Sequence, residues 1–60
     1  MKSNQIRELR EMLYSMAELK IETLTEPDEM ARFQARMRYL DLSNKTRVLE
    51  QKINDSLSSN

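Results

Sequence analysis

The chain has 60 residues, ten basic and ten acidic, so its net charge is zero, and it contains no Cys, His, Gly or Trp. That is one small domain spanning 1–60, of a size that usually needs disulfides, a metal or a partner chain to hold its fold. The missing Cys and His exclude disulfides and the usual zinc or copper sites. The balanced charge argues against nucleic acid as the main partner, which leaves association with protein as the expected source of stability.

No more than two aliphatic, Met or Phe residues ever follow one another, so no membrane insertion is expected. The start, Met1-Lys2-Ser3-Asn4-Gln5, lacks the apolar stretch of a cleavable leader. A cytoplasmic location is therefore expected, with export only by a route that reads no such leader. The absence of Gly and the single Pro27 withhold the regularly spaced turns that a β-rich domain of this size requires. Glu, Leu, Arg, Met, Lys and Gln are common, and all are good helix formers. The fold class expected is all-α.

The first helix is predicted over 4–24, with Ser3 or Asn4 as its N-cap. Ile6, Leu9, Leu13, Met16, Ala17, Ile21 and Leu24 fall on one stripe near the 3.6-residue period, with Met12 and Leu19 on its shoulder. The turn is predicted at 25–27. Pro27 suits the first turn of the next helix, where its missing N–H would be unbonded anyway. Asp28 and Glu29 follow where the helix dipole favours carboxylates. The alternative is one long helix kinked at Pro27.

The second helix is predicted over 27–55, with a frayed tail at 56–60. It carries two apolar stripes. Ala31, Ala35, Leu42, Leu49, Ile53 and Leu57 share one face, with Thr46 among them, whereas Met30, Phe33, Met37, Leu40 and Val48 lie on the far side. Two stripes call for two neighbours. The first helix, folded back antiparallel, covers one and gives a hairpin core of Ile6, Leu9, Leu13, Met16, Leu42, Leu49 and Ile53. The other stripe, Met30, Phe33, Met37, Leu40 and Val48, is the expected interface with a second copy or a partner helix. The longer second helix is expected to overhang the hairpin at its C-terminal end, and Ser43-Asn44 offers a point at which it could break.

No catalytic constellation is visible, and the expectation is a protein that is not an enzyme. General bases and thiol nucleophiles of the common kinds are missing, and no phosphate-binding loop forms without Gly. No cofactor is expected. Glu18 and Glu22, one turn apart, read as a solvated face. Arg32, Arg36 and Arg38 form a candidate nucleic-acid patch, against which stands the plainer reading of ordinary pairs such as Glu29 with Arg32 or Arg36. Met12, Met16, Met30 and Met37 give the apolar set a flexible, gap-filling character suited to accepting a partner helix.

From Glu26 onward the residues Glu26-Pro27-Asp28-Glu29-Met30, Gln34, Met37, Leu40 and Leu42 resemble the small helical-hairpin components of type III secretion systems. Needle and inner-rod subunits of these bacterial systems carry an Asp-Pro-type turn, an apolar residue three positions after the Pro and a Gln four later. Needle subunits end in an apolar stretch, whereas this chain ends Asn54-Asp55-Ser56-Leu57-Ser58-Ser59-Asn60. In its length, polar tail and Phe33-Gln34-Ala35 the chain is similar to the co-chaperone that keeps a needle subunit from polymerising. The resemblance implies an oligomer or heterocomplex, chaperone or structural in role, with export through the apparatus for a needle or rod subunit. Readings of other classes are a dimeric four-helix-bundle regulator of structured RNA and a small helical inhibitor of a larger enzyme.

Overall fold

A computed structural model describes residues 2–58, and Lys2 by its backbone alone. Two helices account for nearly all of them: α1, Lys2–Thr25, and α2, Glu29–Ser58. They pack against each other as an antiparallel hairpin, so the chain is not one kinked helix. Among the described residues there is no strand and no positive φ.

The turn lies one residue further along the chain than the sequence suggests, at 26–28. The Glu26 amide still donates to the Glu22 carbonyl at 2.9 Å, and the Thr23 and Thr25 hydroxyls donate back to the Lys20 and Ile21 carbonyls. These bonds secure the last turn of α1, which ends without a left-handed residue. Pro27 does not open α2, as expected from sequence; it precedes the cap. Asp28 is the N-cap: its Oδ2 accepts from the Ala31 amide at 2.9 Å and its carbonyl from the Arg32 amide at 3.0 Å. A short acid that can take both bonds wins this position over Pro, which offers no side-chain acceptor.

Other boundaries also move. Ser3 and Asn4 lie inside α1 rather than capping it, and α2 runs unbroken through Ser43-Asn44. The tail predicted to fray at 56–60 is helical to Ser58, where the Ser58 hydroxyl donates to the Asn54 carbonyl; Ser59 and Asn60 lie outside the described residues.

The seam between the helices follows a strict alternation of four and three residues. On α1 and its last turn the less exposed residues are Gln5, Leu9, Met12, Met16, Leu19, Thr23 and Glu26, with Glu22 beside them. On α2, read backwards, they are Ser56, Ile53, Leu49, Thr46, Leu42, Tyr39 and Ala35, with Ser43 and Ala31 beside them. The two rows run in opposite directions and stay level to within one residue, the alternating spacing of a short antiparallel coiled coil. Contacts fix the register: Thr46 Oγ1 donates to Met16 Sδ at 3.3 Å, Leu9 borders one cleft with Ile53, and Met12 another with Leu49.

This register corrects two expectations. Leu9, Met16, Leu42, Leu49 and Ile53 lie in the seam, but Ile6 and Leu13 remain 47% exposed each, while Met12 and Leu19 occupy the seam instead of its shoulder. The cause lies one heptad further on. Turning α1 to bury Ile6 and Leu13 would bring Lys20, seven residues after Leu13, into the seam, where an unpaired ammonium is costly. The second correction concerns length. With Met16 level with Thr46, the start of α1 lies level with the end of α2. The whole molecule is 49 Å long, little more than the roughly 45 Å of a 30-residue helix at 1.5 Å per residue. The free ends are flush, and α2's extra turns lie at the turn end instead of overhanging at its C-terminus.

Candidate functional site: an uncovered apolar row and its basic groove

Among the described residues three side chains are buried: Ala35 at 1% exposure, Thr46 at 4% and Leu49 at 9%. Two helices alone give each seam residue cover from one direction only, so the remaining seam positions stay half-open to water. The larger apolar residues are mostly outside. Met30, Phe33, Met37, Leu40 and Val48 are 50–63% exposed, so the row set apart by its period is left uncovered by α1. Its first four members follow at steps of three, four and three along the turn-side half of α2. Asn44 and Arg47 then end the row, and Val48 stands apart from it, bordering a cleft with Glu8 and Met12 of α1. The continuous part spans about 15 Å, three turns of a partner helix.

The row borders a groove between the two helices. Leu24 of α1 and Phe33, Tyr39 and Leu40 of α2 give it an apolar floor, and Lys20, Arg32 and Arg36 stand around it with Glu29. The Lys20 ammonium lies 5.4 Å from the centre of the Tyr39 ring, a cation–π distance that fixes one corner of the rim. Among the described residues no ion pair engages Arg32 or Arg36; the one pair present is Lys45 with Asp41 at 3.1 Å, one turn apart on exposed surface. The expected neutralisation of Arg32 or Arg36 by Glu29 therefore does not form.

The seam also divides the charges. On α1 every acidic residue, Glu8, Glu11, Glu18 and Glu22, immediately precedes a seam residue and so stands on one flank. Ile6, Leu13, Lys20 and Leu24 each immediately follow one and stand on the other. The acidic flank of α1 meets Arg38, Lys45 and Lys52 of α2, spaced seven apart. Glu8, Lys45 and Lys52 border one cleft there, an arrangement that favours the antiparallel register. The opposite flank of α2 carries Arg36, Leu40, Arg47 and Leu57, with Glu29 and Glu50 as its carboxylates.

The candidate nucleic-acid patch is accordingly split. Arg32 and Arg36 stand at the groove, whereas Arg38 lies on the acidic flank beside α1's carboxylates. Sequence reasoning found the uncovered row because periodicity exposes it. It missed the groove, since Leu24 and Lys20 join Phe33 and Arg36 only once the register is known. No cluster of three or more acidic residues converges among the described residues, and no helix is long and apolar enough to cross a membrane.

The fold and its site thus define a two-helix hairpin with one uncovered apolar face. Comparison of the chain with protein-family models, curated proteins and solved structures found no match.

Proposed function

We propose that this hairpin is a non-enzymatic assembly module that completes its core with a helix of another chain. The observation that carries the reading is the row Met30, Phe33, Met37 and Leu40, half or more exposed on α2, while only three of the described residues are buried. Covering the exposed half of such a side chain contributes about 1 kcal/mol, half of the 1.5–3 kcal/mol of full burial. A patch of this kind on a small soluble hairpin is the usual mark of a protein-binding surface.

Within this class, the likeness of the residues from Glu26 to Leu42 favours a small helical hairpin of a type III secretion apparatus, either the co-chaperone of a needle subunit or a needle or inner-rod subunit itself. In such a role the hairpin lends its apolar row to a partner complex inside the cell and does no chemistry. A bacterial cytoplasmic location belongs to the same proposal.

Sedimentation equilibrium with circular dichroism at matched concentrations tests it. A marginally helical monomer that gains helicity with a partner supports a heterocomplex, and growth into long polymers favours the needle or rod form. Phe33→Asp is expected to abolish association while the hairpin's own melting changes little, because Phe33 is exposed. A hairpin that stays a fully helical monomer at every concentration, with Phe33→Asp as soluble and as stable as the parent and no partner retained, would remove the reading.

A further inference from the structure

The groove's surroundings say what kind of helix would fill it. Its floor, Leu24, Phe33 and Leu40, calls for apolar side chains. Its rim holds three cations, Lys20, Arg32 and Arg36, against the single carboxylate of Glu29. α1 adds no carboxylate on this side, because all four of its acidic residues stand on the other flank. A chain of zero net charge has thus been sorted into a basic, apolar flank and an acidic one. Arg32 and Arg36 have no ion-pair partner among the described residues, so their charges are available to an incoming group.

We infer that the groove receives an acidic amphipathic helix of another protein, its apolar ridge on Leu24, Phe33 and Leu40 and its carboxylates beside Lys20, Arg32 and Arg36. This rests on the assembly reading above and names the chemistry of the partner. Apolar anchors at helical spacing supply the affinity, and the charged rim selects the partner and its orientation. A second copy of this chain is a poor occupant. Its acidic flank has the carboxylates, but among the described residues the only large apolar side chain exposed there is Val48, which cannot fill a floor that takes a ridge. Nucleic acid would meet the cations but leave the apolar floor unfilled.

Two stapled helical peptides test the inference, each with Leu at successive ridge positions. One is flanked by Glu and the other, otherwise identical, by Lys. Fluorescence anisotropy with the full chain at low salt is expected to show the Glu peptide binding about tenfold or more tighter, an advantage that shrinks as salt screens the rim. Arg32→Glu with Arg36→Glu should reverse the preference, and Phe33→Asp should remove binding of both peptides. Circular dichroism checks that each variant melts as the parent does. Equal binding of both peptides, lost with Phe33→Asp, would overturn the acidic-partner inference and leave the assembly reading standing. Binding of neither peptide by a folded parent would overturn both. An oligonucleotide that displaces the Glu peptide and needs Arg36, or a self-associated chain whose groove admits no peptide, would also overturn the inference.

Discussion

Asp28 holds the beginning of α2 with two bonds, one from its side chain and one from its carbonyl. Asp28→Ala should destabilise the hairpin by about 1 kcal/mol, read as an earlier urea midpoint with an unchanged slope. Asp28→Asn should recover most of the loss, since the amide oxygen accepts the same bond. Thr46 is a different case. It is nearly sealed in the seam, and its hydroxyl has only the thioether of Met16 as a side-chain acceptor, a weak one. Removing a buried hydroxyl that is poorly bonded costs little and relieves desolvation. Thr46→Val is therefore expected to leave the melting temperature unchanged or raise it. Thr46→Leu should lower stability by roughly 1–3 kcal/mol because the seam is close-packed there.

At the level of the helices, the register makes a sharper claim about α1 than periodicity does. Met12→Ala and Leu19→Ala remove seam residues and should each cost roughly 1–3 kcal/mol, at the low end of large-to-small changes because the seam is half-open. Ile6→Ala and Leu13→Ala should cost clearly less. Denaturant titration of the four variants decides between the two faces. Most of the architecture was legible from residues: two helices from composition, the turn from Pro27 and its acidic neighbours, the uncovered row from the second stripe on α2. The face of α1 was not, because apolar residues spread over a wide arc and a 3.6-residue average does not weigh what burying Lys20 would cost. Nor was the charge sorting legible, since Glu8, Glu11, Glu18 and Glu22 look like scattered solvated acids until the seam fixes which side each occupies. Arg38 shows the same limit: two residues from Arg36 in sequence, it stands across the seam from it in space.

For the whole molecule, the matched rows place Gln5 beside Ser56 at the flush end. Gln5→Cys with Ser56→Cys should therefore close a disulfide in the oxidised monomer, in a chain that has no other Cys. Closing a loop of about 50 residues should raise stability by about 4 kcal/mol in the chain-entropy account. Failure to crosslink, with ready crosslinking of a pair displaced by one turn, would show the register to be wrong. The flush ends also give the rod a direction. α1 begins and α2 finishes at the same end of a 49 Å body, while the groove opens near the turn at the other. Whatever is joined covalently at the flush end is held some four nanometres from whatever docks beside the turn. The hairpin is thus a two-ended spacer as much as a binding surface, and a fluorophore or surface tether placed at the flush end would report on docking without obstructing it.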